Sequence, residues 1–214
     1  MLAYPSVYHR RMGDPSTDVT AFLLAGGKST RMGTDKAFLR WEGPNLLSRA
    51  IAVASAVTPN VAIVGSREKF AAFAPVIEDI FPDRGPLAGI HAALTGSTTA
   101  LNLMLAIDMP FVTAEFLQYL ISQALKAGDA VATVPRSDGR MQPLCAIYRR
   151  SFASHAEESL KAGRNKIDPL FCTIPIRTIE ENEIQAAGFS SAIFRNVNTP
   201  EDLDLARREP LPQL

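Results

Sequence analysis

The chain has 214 residues, 47% of them hydrophobic, which is enough for one substantial core, and its 22 Lys and Arg balance 22 Asp and Glu. Zero net charge argues against a protein held to nucleic acid by phosphate neutralisation, so a small-molecule partner is expected. Two cysteines, Cys145 and Cys172, make neither a disulfide framework nor a zinc site. The opening stretch lacks the apolar core of a secretory signal and no run of about 20 apolar residues suggests a membrane span, so a cytoplasmic protein with no membrane partner is expected.

Residues 1–17 carry Pro5, Gly13 and Pro15 without periodicity and read as a flexible extension, leaving 18–210 as a single domain. VTAFLLA (19–25) is apolar on both faces, as a buried strand is. LLSRAIAVASAV (46–57) has a helical pattern, VAIVG (61–65) is a second strand, 67–73 a short helix, and APVIED (74–79) ends as a third strand. GPLAGIHAALTG (85–96) turns into a helix, and ALNLMLAIDMP (100–110) is the most buried-looking strand. The helix TAEFLQYLISQALKAG (113–128) is capped by Thr113, has Glu115 in its first turn and closes on Gly128. AVATVP (130–135) and PLCAIYRR (143–150) are strands flanking the polar turn RSDGRMQ, and SFASHAEESLKAG (151–163) is a helix. IPIRTI and AIFRNV read as short strands, and TPEDLDLARRE (199–209) as a last helix with Thr199 at its N-cap and Pro200 at its first position.

Strands alternating with helices through the first 130 residues predict an α/β fold: a Rossmann-like three-layer sandwich on a mostly parallel central sheet, joined late by antiparallel strands. Ligands of such sheets bind outside the carboxyl ends of the strands. The chemistry is therefore expected at Ala25–Gly27, Gly65, Asp79 and Asp108.

The stretch LLAGGKSTRMGTDK closes and follows the first strand. Its Gly27-Lys28-Ser29 looks like the tail of an ATP-binding P-loop, but the first glycine of that motif would fall on Phe22, inside the strand. A Rossmann fingerprint fails as well, since Gly26 is followed directly by Gly27-Lys28. What remains is physical. Adjacent glycines let the backbone approach anionic oxygens, and Lys28, Arg31 and Lys36 add cations, the combination a triphosphate requires.

LAGGKSTRMGTDK resembles the nucleotide loop of the molybdenum cofactor guanylyltransferases, within the wider group of sugar-nucleotide-type nucleotidyltransferases. The resemblance continues in order through IEDIFPDRGPLAGIHAAL, AIDMPF, QPLCAIY and NVNTPEDL, from about residue 18 to 207. It implies the nucleotide-diphospho-sugar transferase fold and transfer of GMP from GTP to the phosphate of molybdopterin, with pyrophosphate released and Mg²⁺ as cofactor. By the same resemblance Leu24, Ala25 and Gly26 contact the nucleotide through backbone, with Gly27 also in the nucleotide-binding loop, Lys36 contacts its phosphates, and Arg31 stabilises phosphate or pyrophosphate. Asp108 matches the magnesium aspartate, as suits a carboxylate at the end of a buried strand. Asp79 matches a second acidic position, and Gly85 and Gly89 the glycines of GPLAGI. Asn196 and Asn198 match asparagines on the molybdopterin side, and Gln142 is a further candidate for the acceptor cleft. Cofactor-synthesis proteins or molybdoenzymes are the implied protein partners.

Two departures stand out: the loop is one residue shorter than in some relatives between Met32 and Asp35, and Gly65 stands where some have asparagine. Local readings compete with several of these roles. Asp79 also reads as a surface carboxylate, Gly85 and Gly89 as turn and packing glycines, and Asn198 as helix-cap chemistry. His9, His91 and His155 have no constellation, and Ser29, Thr30 and Cys145 have no partner that would make a nucleophile. None is needed, because an ionised acceptor phosphate attacks the α-phosphorus itself. Arg31, Lys36 and Asp108 are thus the expected catalytic residues. A cytidylyltransferase acting on molybdopterin, a sugar-phosphate nucleotidyltransferase and a non-catalytic cofactor chaperone remain as alternatives.

Overall fold

A computed structural model describes residues 18–26, 36–40, 44–197, 202 and 204. The predicted extension (1–17) and most of the predicted last helix lie outside the described residues, although Asp202 and Asp204 are helical.

Among the described residues, eight strands form one sheet: β1 (Val19–Leu24), β2 (Val61–Val64), β3 (Val76–Ile77), β4 (Leu101–Ala106), β5 (Ala132–Ser137), β6 (Arg140–Met141), β7 (Cys145–Arg149) and β8 (Ile176–Ile179). They run in the order β3-β2-β1-β4-β7-β5-β6, with β8 also pairing with β5. β1, β2, β3 and β4 are parallel, and β8 is parallel to β5. Antiparallel pairing enters through β7, which runs against β4 and β5, and through the β5–β6 hairpin.

Helices cover both faces, because the central strands are apolar on both sides. Along β1, Val19, Ala21 and Leu23 join one core with α1 (Leu46–Ser55), α4 (Ala114–Lys126) and α7 (Glu181–Ala186). Phe22 points the other way, into a core with α3 (Pro86–Gly96), α5 (Phe152–Lys161) and α6 (Asp168–Phe171). All six residues of β4 are buried. Helix boundaries follow local chemistry. The Thr113 hydroxyl accepts from Phe116 N at 3.3 Å, the Asn45 side chain caps α1 at 2.8 Å, and Gly128 follows α4 with φ of 56°.

Several expectations need correction. AIFRNV is not a strand: Ser191–Phe194 form a 3₁₀ helix, started by the Ser190 side chain accepting from Ala192 N and held by buried Ile193 and Phe194. The third strand shrinks from 74–79 to Val76–Ile77, a short edge strand that pairs with β2 on one side. The polar turn RSDGRMQ contracts to Asp138–Gly139, both at positive φ (49° and 71°), with its flanks paired as β5 and β6. The short helix expected over 67–73 is α2 (Arg67–Phe70). Short α6 and α7 lie where no helix is expected from the sequence.

Candidate active site

In-register parallel pairing brings the strand ends level. Leu24 pairs with both Val64 and Ala106, and Val64 pairs with Ile77. Ala25, Gly26, Gly65, Asp79 and Asp108, which follow those ends, therefore gather along one edge of the sheet, where ligands of open α/β sheets bind.

The central feature is an ion pair. Lys36, which opens the 3₁₀ turn Lys36–Phe38, donates from Nζ to Asp108 Oδ2 at 2.8 Å, and the two side chains are 16% and 21% exposed. The other carboxylate oxygen, Asp108 Oδ1, is buried and accepts no hydrogen bond among the described residues. Its backbone is fixed from both sides: Val197 N donates to the Asp108 carbonyl at 2.8 Å, and Ile107 N to Leu24 O at 3.4 Å. Buried Arg49 on α1 donates from Nε to the Pro110 carbonyl at 2.5 Å, tying down the loop beyond, and burial lowers its pKa.

Across β1, Ala25 N donates to Val64 O at 3.0 Å, so the chain stays in strand pairing to the edge of the site. A Cβ on Gly26 would meet nothing within 4 Å among the described atoms, leaving open room against the backbone. Gly89, buried on α3, sits beneath Asp79: its Cβ would lie 3.6 Å from Asp79 Oδ1 and from Leu24 Cδ2, and 3.4 Å from Val64 Cγ1. Asp79 is exposed at the surface, yet loss of water on its protein side raises its carboxyl pKa. Gly85 begins α3 with φ of 73°, a conformation that side chains resist.

On the β7 side, Ala106 N donates to Leu144 O at 2.8 Å, which sets Gln142 near the end of β4, and exposed Asn196 adjoins the Val197 link to Asp108. A cavity of about 260 Å³ opens here between Ser137, Asp138, Arg140, Gln142, Ser191, Phe194 and Arg195. Ser137 is 1% exposed and its hydroxyl has no hydrogen-bond partner among the described residues. Sequence reasoning missed Ser137, Arg140, Ser191 and Arg195. The Asp138–Gly139 hairpin signal was readable, but not that the hairpin and the Ser191–Phe194 turn would meet.

The structure thus unites Leu24, Ala25, Gly26, Lys36, Asp79, Gly89 and Asp108, with Gly85 at the start of α3 and Gln142 and Asn196 on the far side. Gly27, Arg31 and Asn198 lie outside the described residues. His91 is buried on α3, edge-on to Phe81 with ring centroids 5.2 Å apart, and burial lowers its pKa. Cys145 is fully buried, its thiol pushed up to about 12 by desolvation, which rules it out as a nucleophile.

Residues 21–170 match the family described as the MobA-like NTP transferase domain. The chain belongs to this family. It is a nucleotidyltransferase. A protein of Pelotomaculum thermopropionicum named as a probable molybdenum cofactor guanylyltransferase is 37% identical over 88% of this chain and 91% of its own. The molybdenum cofactor guanylyltransferase of Syntrophotalea carbinolica is 30% identical over 89% and 91%. Among solved structures, molybdopterin-guanine dinucleotide biosynthesis protein A from Archaeoglobus fulgidus superposes with a TM-score of 0.77 at 30% identity, over 88% of this chain and 97% of that one. The 2-C-methyl-D-erythritol 4-phosphate cytidylyltransferase of Thermus thermophilus, at 18% identity and a TM-score of 0.63, shares the fold over 87% of this chain and 96% of its own. The family assigned from the glycine loop and GPLAGI is therefore correct, and so is the three-layer α/β class.

Proposed function

We propose that this nucleotidyltransferase moves GMP from GTP to the phosphate of molybdopterin-bound molybdenum cofactor, releasing pyrophosphate and forming the guanine dinucleotide cofactor. The observation that carries the reading is the Lys36–Asp108 pair at the strand ends, with one carboxylate oxygen paired and the other buried without a hydrogen-bond partner among the described residues. The names of the relatives supply the base and the acceptor.

The orphaned Asp108 Oδ1 fits a hard cation that takes oxygen ligands, and Mg²⁺ typically uses one or two carboxylates and completes its shell with substrate phosphates and water. That suits a site in which no cluster of three or more metal-ligating side chains occurs among the described residues. Asp108 would hold Mg²⁺, which would supply charge neutralisation for the nucleotide phosphates. Lys36 holds the second carboxylate oxygen and brings its ammonium to the same phosphates. The backbone of Leu24, Ala25, Gly26 and Gly27 admits the nucleotide closely, and Arg31 stabilises the departing pyrophosphate. Asp79 and the α3 start at Gly85 and Gly89 border the nucleotide, while Gln142, Asn196 and Asn198 line the acceptor side.

An oxygen of the ionised acceptor phosphate forms the new bond to the α-phosphorus. The bond from that phosphorus to the bridging oxygen breaks, and its electron pair leaves with pyrophosphate. No protein nucleophile is consumed, so alignment and charge neutralisation are the main demands on the protein. In this reading 18–210 works as one domain in the cytoplasm and its product passes to a molybdoenzyme. No helix among the described residues is long and apolar enough to cross a membrane.

The test is pyrophosphate release from GTP, ATP, CTP and UTP with Mg²⁺ and molybdopterin-bound molybdenum, beside an Asp108→Ala control. Release with GTP alone, lost in the control, is expected. Preference for CTP would move the chain to cytidylyl transfer, and nucleotide binding without release would overturn the reading.

A further inference from the structure

The 3₁₀ turn Lys36–Phe38 sends three successive side chains in three directions, as three residues per turn require. Lys36 reaches Asp108. Ala37 is fully buried in the core shared with α1 and β1. Phe38 points outward onto two rings of the next layer, Phe70 and Phe73, with centroids 6.0 and 5.9 Å away.

Phe70 is the fixed member of that cluster. It ends α2, is 2% exposed and lies against Gly65 at the corner between β2 and α2. A Cβ on Gly65 would fall 3.0 Å and 3.1 Å from two carbons of the Phe70 ring, and 3.7 Å from the Ala25 carbonyl carbon. The bare glycine is what allows the ring to sit there. Packing thus runs from Ala25 through Gly65 and Phe70 to Phe38, and the backbone of the turn joins Phe38 to Lys36 and its bond to Asp108. On its other side the turn is tethered by hydrogen bonds from Leu39 N to Lys36 O (3.2 Å) and from Leu46 N to Leu39 O (3.1 Å). Those bonds and buried Ala37 hold the turn, and Phe38 packs it against Phe70 and Phe73.

We propose that Phe70, seated on Gly65 and touching Phe38, is a positioning residue that fixes the direction in which Lys36 points, and that glycine at 65 lets the ring sit this close. The inference rests on Lys36 as the phosphate contact. It does not depend on which base or acceptor the enzyme takes.

A double-mutant cycle tests it, with dissociation constants of the four nucleoside triphosphates and thermal midpoints measured for the wild type, Phe38→Ala, Lys36→Met and the double variant. Phe38 is 36% exposed, so its truncation leaves the core intact. Phe38→Ala should weaken triphosphate binding about tenfold, the scale of losing one charge-assisted hydrogen bond. In the Lys36→Met background the same change should have no effect on binding, because the group it positions is gone. Gly65→Ala, which pushes against the Phe70 ring, should give a smaller loss with the same dependence on Lys36, and Phe38→Tyr should retain binding. An equal effect of Phe38→Ala in both backgrounds, or none in either, would overturn the inference while leaving the proposed reaction intact. Full coupling with a triphosphate other than GTP would uphold the inference and count against the guanylyl reading. Failure of the wild type to bind any triphosphate would overturn both.

Discussion

Replacing Asp108 by asparagine should separate activity from stability. The substitution keeps the shape of the side chain and removes its charge. Two opposing terms act on the folded protein. The charge-assisted bond to Lys36, at 2.8 Å between mostly buried groups, contributes about 1.5–3 kcal/mol, part of which an amide oxygen retains. Against it stands the buried, unpartnered Oδ1, whose desolvation costs about 1–3 kcal/mol, more for a charged oxygen than for an amide. The sum should lie within about 1 kcal/mol of zero. Catalysis has no such compensation: in the proposed reaction, losing the carboxylate assigned to the metal should lower kcat/KM by about 10³-fold, or ~4 kcal/mol of transition-state stabilisation. Urea unfolding and pyrophosphate release on the same preparations check both halves. A stability loss above about 3 kcal/mol would make the pair a structural bridge, and activity within about tenfold of wild type would remove Asp108 from the chemistry.

Gly89→Ala should raise the stability of the fold by up to about 1 kcal/mol, because alanine favours a helix interior and its Cβ would meet Val64, Leu24 and the Asp79 carboxylate at ordinary contact distances of 3.4–3.6 Å; urea unfolding measures the effect, and a loss of about 1 kcal/mol or more would contradict it. Asp79→Asn should raise the thermal midpoint near neutral pH. A carboxyl whose folded pKa is raised binds protons more readily in the native state, so its ionisation lowers stability as pH rises from its ordinary value of 3.8 through the folded value. The advantage of the variant should therefore shrink as pH falls through that window, and an advantage that grows in acid would contradict the assignment. Asn102, fully buried on β4 away from the site, donates to the Tyr148 carbonyl at 3.1 Å and accepts from Ser97 Oγ. Asn102→Ala should cost about 1–3 kcal/mol by urea unfolding with nucleotide affinity unchanged, since it removes a buried donor from the Tyr148 carbonyl far from the strand ends, while Ser97 Oγ keeps its hydrogen bonds with Thr99.

The elements that could be read directly are those whose signal is local. Doubly apolar β1 and β4 announced a sheet covered on both faces. Thr113 and Gly128 marked the ends of α4, and the glycine loop with GPLAGI carried the family. AIFRNV failed because a short apolar run has no periodicity of its own: Ile193 and Phe194 are buried by the 3₁₀ turn packing on α4, with Phe194 edge-on to Phe116 at 5.3 Å. The third strand was overestimated because an edge position, paired on one side, ends when its neighbour β2 does.

The sequence by itself determined the alternation of strands and helices, the boundaries set by capping residues, and which residues would stand at the carboxyl ends of the parallel strands. These depend on neighbours a few positions away, through side-chain periodicity and backbone conformation. Only the tertiary structure decided which of those residues meet. Lys36 and Asp108 lie 72 positions apart, and nothing local to either tells that one carboxylate oxygen is paired and the other buried without a partner among the described residues. Gly65 read as a missing asparagine until the Phe70 ring was seen against it. Ser137 looked like turn chemistry until the hairpin and a turn more than 50 residues further on closed around its hydroxyl. Such contacts follow from sheet order and helix packing, which many residues set together and no single stretch encodes.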